Sequence, residues 1–503
     1  MRVLFTTAEA YPLAKTGGLA DVSRALPVAL RKLGVDVRLL MPAYPRAYVR
    51  VERHKIIAKI PPALGIDDAT LLAGIFPETD LPVYLIDSPR LFRRTGGLYQ
   101  DEHGQDWPDN PLRFAFLAHV AREIAMGRLG IDFRPDLVHA NDWHAGLVPL
   151  YLSLEQGPRP ATVFTTHNMA FQGNFPAEWL ERLGIPGALF SPGGVEFYGK
   201  ISYLKTGLRY ADRVTTVSPT YAREILTPEF GCGMEGVLAE RGEDFSGILN
   251  GIDEDVWNPA IDPVLARPYR ESDISGKRAC KAALQAEFGL KISPDTPVFG
   301  FVSRLTHQKM ADVILDVLPW LAEQGAQFVS VGEGDPKLEA AFDQARERYN
   351  EQVAVIVGYD EPLAHKLQGG ADALLAPARF EPCGLTQLYA LRYGSLPIVR
   401  RTGGLADTVV DATASAIAER RATGFVFDDP TADDLQSALS RALALYREPL
   451  IWRRLQLQAM AEDYTWISSA TQYAALYSAA SGVPIDLGTP AKLTEQTSRQ
   501  AAS

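Results

Sequence analysis

Short apolar runs rich in β-branched residues alternate with stretches of helical periodicity, and the alternation occurs twice along the 503-residue chain. In the first half "RVLFTT", "VDVRLLMPA", "VYLIDSP", "PDLVHAND", "ATVFTTHN" and "ADRVTTVS" read as strands. Between the first two, Leu19, Val22, Leu26, Leu30 and Leu33 recur at helical spacing until Gly34 ends the run. The second half repeats the style with "PVFGFVSRL", "QFVSVG", "VAVIVG", "ADALLAPA" and "LPIVR" as strands, separated by helical segments such as "KLEAAFDQARERYN". Such alternation builds a parallel sheet with helices on both faces. The chain is also too long for one core. The expected fold class is therefore α/β, as two Rossmann-like doubly wound domains facing a deep cleft. Gly, Pro, Asn and Asp cluster in "GILNGIDEDVWNPAIDP", which marks the boundary, so the domains are expected at 1–248 and 249–462. The small polar residues of 482–503 read as a disordered tail.

Composition narrows the function. A formal net charge of -11 argues against a general nucleic-acid binder. The 3 cysteines, Cys232, Cys280 and Cys383, are too widely spaced for a disulfide framework or a zinc pattern, which points to a reducing, cytoplasmic setting. The first residues, "MRVLFTTAEAYPLAK", carry too short an apolar run for a signal peptide, and no stretch is long and apolar enough to span a bilayer. No membrane partner is expected.

In doubly wound domains ligands sit at the carboxyl ends of the strands, so strand-end residues are the candidates. "KTGGLADV" (Lys15 to Val22) opens a helix after the first strand. Its glycines allow close backbone approach to an anion, and Lys15 adds a point charge; the plainer reading is a tight turn with a solvated lysine. It is neither a P-loop nor a dinucleotide fingerprint. "RTGGLADT" (Arg401 to Thr408) repeats the turn, and there a mainly structural role is expected. "HANDWH" and "TTHNM" place Asn141, Asp142, His144, His167 and Asn168 at two strand ends, suited to sugar hydroxyls. Their histidines show no metal-ligand spacing. "SRLTHQK" brings Arg304 and Lys309 toward a helix start, which suits a diphosphate, against the plainer reading of surface ion pairs. Glu381 follows another strand, in a turn shaped by Pro382 and Gly384. Cys383 beside it reads as a packing residue. "DED" (Asp253 to Asp255) reads as a solvated hinge rather than a metal site.

Taken together, "KTGGLADV", "HANDWH", "THN", "NGID", "SRLTHQK" and above all "RFEPCGLTQLYALRYGSLPIVRRTGGLADTV" resemble the bacterial glycogen synthase and plant starch synthase family, over roughly residues 1–480. The resemblance implies a retaining glycosyltransferase of GT-B architecture, without metal or other cofactor. It would transfer glucose from ADP-glucose to the non-reducing end of an α-1,4-glucan such as glycogen. It implies an acceptor-side first domain, a nucleotide-sugar-binding second domain and a helix at 463–481 returning to the first. By similarity, Lys15 and Gly18 contact the donor, and Arg304 and Lys309 hold the diphosphate with backbone N–H groups near Leu385 and Thr386. Asp142, Asn168 and Glu381 orient the glucosyl unit, His167 lies near the reacting centre, and Asn250 approaches from the boundary segment. The family pattern continues "QKG" where this chain has "QKM". Met310 either crowds the helix start or, with ordinary helical dihedrals, is tolerated. The second glutamate of related sugar transferases is Tyr389 here. A catalytically silent glucan-binding protein on the same scaffold is the alternative from another class. A dinucleotide-dependent oxidoreductase is disfavoured by the missing glycine fingerprint.

Overall fold

The computed structural model describes residues 1–358 and 360–485. Residues 486–503 of the expected tail lie outside the described residues. The chain divides into two compact units. The first comprises Met1–Val217, Ala222–Ile248 and the segment beginning at Trp466; the second comprises Ser218–Tyr221 and Leu249–Thr465.

The first unit is built on a 9-stranded sheet. Its order runs Phe245–Gly247, Arg213–Thr216, Ala161–Thr166, Leu137–Asn141, Arg2–Thr6, Asp36–Pro42, Pro82–Asp87, Thr70–Ile75 and Glu52–Lys59. The strands from Phe245–Gly247 to Pro82–Asp87 pair in parallel, while the last two pair antiparallel. Those antiparallel strands depart from the purely parallel sheet expected. The edge strand "ERHKIIAK" is charged and mostly exposed, so it shows no buried alternation to read. The first strand, Arg2–Thr6, is central: the chain first builds outward on one side of it and then returns to the other. The order therefore switches between Arg2–Thr6 and Leu137–Asn141. Helix Gly18–Lys32 buries Leu19, Val22, Leu26 and Leu30, the residues its spacing singled out. Helix Trp466–Ser481 packs against it and buries Tyr473 and Tyr477 completely. The Tyr477 hydroxyl meets His139 Nδ1 at 2.6 Å, and Thr165 meets His139 Nε2 at 2.7 Å. A histidine on the central strands is thus a satisfied core residue.

The second unit holds a 6-stranded, wholly parallel sheet in the order Val353–Val357, Gln327–Gly332, Val298–Val302, Ala373–Leu375, Leu396–Arg400 and Phe425–Phe427. Its switch point lies between Val298–Val302 and Ala373–Leu375. Helix Ala311–Glu323 buries Val313, Ile314, Val317, Leu318 and Leu321 against the sheet. Each such side chain contributes about 1.5–3 kcal/mol through burial. Both units are therefore doubly wound α/β sheets.

Candidate active site

In the first unit three neighbouring strands end beside the switch point, and each is followed by residues singled out in the sequence. After Arg2–Thr6 the chain turns through Lys15, Gly17 and Gly18 into a helix. Lys15 Nζ lies 2.7 Å from Asp21 Oδ1 and 5.0 Å over the Tyr11 ring. A Cβ on Gly17 or Gly18 would meet nothing within 4 Å. The Thr16 and Gly17 amides, however, do not point at open space. They donate to Glu9 Oε2 at 2.6 and 3.3 Å. Two of the loop's amides are thus held by Glu9, and that of Gly18, the glycine expected to contact a ligand, is not one of them.

Asp142 follows Leu137–Asn141 in a left-handed backbone conformation, φ 58 and ψ 177, which costs a non-glycine residue about 1–3 kcal/mol. The conformation is held by its N–H donating to Thr165 O at 2.8 Å and by its carboxylate accepting the Trp143 N–H at 2.9 Å. Burial raises the Asp142 carboxyl to about 7, and the nearby Glu9 charge pushes the same way. His167, after Ala161–Thr166, donates Nε2–H to Asn141 Oδ1 at 3.2 Å. Asn168 Oδ1 accepts the Ala170 N–H at 3.0 Å and shapes that loop. Burial lowers His167 to about 3 and holds His144 well below its usual value, so both are neutral near pH 7. Among the described residues no group of His, Cys, Asp and Glu is arranged to hold a metal.

In the second unit the ends of the adjacent strands Val298–Val302 and Ala373–Leu375 carry the other candidates. Lys309 Nζ forms an ion pair with Glu381 Oε2, joining residues 72 apart in sequence. Arg304 is exposed, and its guanidinium has no ion pair among the described residues. A small polar hollow is lined by Ser303, Lys309, Glu381, Gly384, Thr386 and Gln387. Leu385 caps helix Thr386–Arg392, so that helix start faces the same hollow. The two loops are stapled together. Arg379 donates to both carboxylate oxygens of Asp312 at 2.9 and 2.8 Å, and Gln308 Nε2 donates to Phe380 O at 3.2 Å. A bidentate arginine pair fixes direction as well as distance. Asn250 is buried, and its Oδ1 has no hydrogen-bond partner among the described residues. A larger cavity of about 240 Å³, lined by Val264, Leu265, Cys280 and Leu284 among others, holds none of the candidates.

The repeated stretch has different surroundings in its two places. Where Gly18 is open, a Cβ on Gly403 would lie 1.8 Å from Glu381 O, and one on Gly404 would lie 2.2 Å from Cys383 O. Gly404 N–H also donates to Glu381 O at 3.2 Å. The second copy therefore clamps the backbone of the turn that carries Glu381. Cys383 within that turn is buried, and burial raises its thiol to about 12, as suits a packing residue. Met310 adopts φ 52 and ψ 32, so it does not have ordinary helical dihedrals. Its side chain is fully buried in the hydrophobic core instead of crowding the helix start. Tyr389 stacks on Trp257 at 3.8 Å, with His365 at 3.8 Å on the other face, and so is a packing residue at the position of the second glutamate. Sequence reasoning missed Glu9 and Tyr99. Their one signal was an acidic residue set among small and apolar neighbours directly after the first strand.

Residues 2–240 match the family model described as the starch synthase catalytic domain, and residues 285–454 match that of glycosyl transferases group 1. The glycogen synthase of Burkholderia thailandensis is 52% identical over 479 residues, covering 95% of this chain and 90% of that protein. The glycogen synthase of Paramagnetospirillum magneticum is 49% identical over 484 residues, covering 96% of this chain and 98% of that one. Among solved structures, the catalytic domain of starch synthase IV from Arabidopsis thaliana, bound to ADP and acarbose, superposes with a TM-score of 0.86. It is 32% identical and covers 96% of this chain and 99% of that one.

Proposed function

The chain belongs to the glycogen synthase and starch synthase family of glycosyltransferases, and from that membership we propose that it transfers glucose from ADP-glucose to the non-reducing end of an α-1,4-glucan such as glycogen, with retention at the anomeric carbon and release of ADP. The observation that carries the reading is the set of two cations and one carboxylate at the second unit's switch point: Arg304, Lys309 and Glu381.

In the proposed reaction the bond between the anomeric carbon and the diphosphate oxygen breaks, and a bond to the acceptor's 4-hydroxyl oxygen forms on the same face. The leaving phosphate takes the acceptor proton. Charge develops on the diphosphate and, with opposite sign, on the glucosyl ring. Arg304 and Lys309 meet the first, helped by N–H groups at the helix start near Leu385 and Thr386. When Lys309 shares its ammonium with the diphosphate, the Glu381 carboxylate is released in part to accept glucosyl hydroxyls. Asn250 Oδ1, buried and without a hydrogen-bond partner among the described residues, supplies a further acceptor. In the first unit Lys15 and Gly18 contact the donor, and Asp142 and Asn168 orient the glucosyl unit. The neutral His167 ring, or its backbone carbonyl, stabilises the oxocarbenium-like state. The first unit takes the acceptor side and the second the nucleotide sugar, in a cytoplasmic enzyme. Initial rates with ADP-glucose and UDP-glucose, measured side by side on glycogen, test the assignment. A clear preference for ADP-glucose is expected, and a preference for UDP-glucose would overturn it.

A further inference from the structure

The Lys15–Gly18 loop has the composition of an anion cradle, but its Thr16 and Gly17 amides already hold a carboxylate from the same chain. Glu9 is 2% exposed. Its Oε2 accepts the Thr16 and Gly17 N–H groups at 2.6 and 3.3 Å, and its Oε1 accepts the Thr16 and Tyr99 hydroxyls, each at 2.5 Å. A buried carboxylate needs such a full set of donors, and here every donor comes from a loop of the candidate site or from Tyr99. Tyr99 extends the connection. Its ring stacks on His144 at 4.5 Å, His144 stacks on Trp143 at 3.9 Å, and the Trp143 amide binds the Asp142 carboxylate. One continuous set of contacts therefore runs from the Lys15 loop to Asp142, across the ends of two adjacent strands.

We propose that Glu9 is a positioning residue which, through Tyr99, holds the Lys15–Gly18 loop in register with Asp142, so that the donor-binding edge of the first unit is preformed. The proposal rests on the reading of this edge as part of a nucleotide-sugar site. It assigns the loop's contribution to its shape and to Lys15. The Thr16 and Gly17 amides serve Glu9 and not the donor phosphates.

Three variants of the full chain test this. Glu9→Gln keeps the geometry without the charge: its amide oxygen accepts from Thr16 and Gly17, and its NH2 donates to the two hydroxyls, which accept as readily as they donate. Glu9→Ala removes the hub. Tyr99→Phe removes only the hydroxyl link and keeps the ring. Two readouts are used: amide hydrogen exchange over residues 10–20 without substrate, and steady-state kinetics varying ADP-glucose and glycogen separately. In Glu9→Ala, exchange at Thr16 and Gly17 and the KM for ADP-glucose are each expected to rise about tenfold or more, with the KM for glycogen within about twofold of the parent. Glu9→Gln is expected within about threefold of the parent on every measure. Tyr99→Phe, which keeps the test decisive if Glu9→Ala does not fold, is expected to raise the donor KM about threefold or more with a smaller fall in melting temperature than Glu9→Ala. The proposal is overturned if Glu9→Ala leaves exchange and donor KM unchanged, if it lowers only the melting temperature, or if Glu9→Gln is as impaired as Glu9→Ala. Because exchange is read without substrate, it decides the positioning of the loop even if the parent fails to turn over ADP-glucose, a result that would count against the reaction itself.

Discussion

Adding one methyl group to each copy of the repeated turn, by Gly18→Ala and Gly404→Ala, sets two opposite outcomes side by side. At Gly18 the new Cβ meets nothing within 4 Å. The residue begins helix Gly18–Lys32, where alanine replaces the residue with the most conformational freedom to lose. Stability is expected to be unchanged or to rise by up to about 1 kcal/mol. At Gly404 the Cβ falls 2.2 Å from Cys383 O and 2.5 Å from Cys383 Cα. Ordinary contact begins near 3.4 Å, so the backbone of the Glu381 turn must retreat by about 1 Å or the helix must shift, and overpacking of this kind costs about 1–3 kcal/mol. For a unit of this size that amounts to a fall of roughly 2–12 °C in its melting transition. Because the displaced backbone carries Glu381, turnover falls as well. Thermal unfolding by circular dichroism, combined with ADP-release kinetics, reads both effects. Gly18→Ala should raise the KM for ADP-glucose with no loss of stability. Gly404→Ala should lower melting temperature and kcat together. Equal stability of the two variants would refute the clamp, and a donor-affinity loss as large in Gly404→Ala with no loss of stability would refute the asymmetry of roles.

Further outcomes follow from the same geometry. Arg304→Ala and Lys309→Ala are each expected to lower kcat/KM by about two orders of magnitude or more, corresponding to roughly 3 kcal/mol of charge stabilisation. Arg304→Ala should leave stability intact, since its side chain is exposed and has no ion pair among the described residues, whereas Lys309→Ala strips Glu381 of its ion-pair partner; near-normal rates in kinetic assays would refute the diphosphate role. Met310→Gly relieves a left-handed backbone worth about 1–2 kcal/mol but removes a fully buried side chain worth about 2–5 kcal/mol, so net destabilisation by about 1–3 kcal/mol is expected in urea unfolding. A stabilised Met310→Gly, or one with altered donor KM, would contradict the placement of that side chain in the core. Burial raises Asp142 to about 7, so between about pH 4 and 7 this group keeps a proton in the folded chain that the unfolded chain releases, and the contribution of Asp142 to stability falls as pH rises through that window, opposing the buried neutral His139 and His167, whose contribution rises between about pH 3 and 6.5. Asp142→Asn should remove that contribution, so stability measured by unfolding across the window rises more steeply with pH than in the parent, and an unchanged slope would refute the effect of burial.

The strand ends were legible because apolar runs bounded by turn residues have a local signature. This is why Asp142, His167, Arg304 and Glu381 fall where strand-end reasoning puts them. What was not legible depends on contacts far apart in sequence or on backbone conformation. The Lys309–Glu381 pair spans 72 positions, and the His139–Tyr477 bond spans 338. Glu9 was missed because a single acidic residue after a strand looks like solvent-facing loop until four donors are seen converging on it. Two identical hexapeptides carry the same turn preference, and only their neighbours separate them: open space at Gly18, the Cys383 backbone at Gly404. The conformation of Met310 could not be read from residue type, since methionine ordinarily avoids the left-handed region, and here the core contacts around its side chain hold it there. The charged edge strand Glu52–Lys59 escaped because its pattern follows protection of a sheet edge and not burial.

Glucosyl transfer from ADP-glucose to an α-1,4-glucan is decided by incubating the protein with ADP-glucose and glycogen and measuring both ADP release and glucan chain extension. ADP is expected to appear in step with added glucose units, and only when the acceptor is present. No ADP at high protein concentration, or ADP released without extension of the glucan, would rule that reaction out.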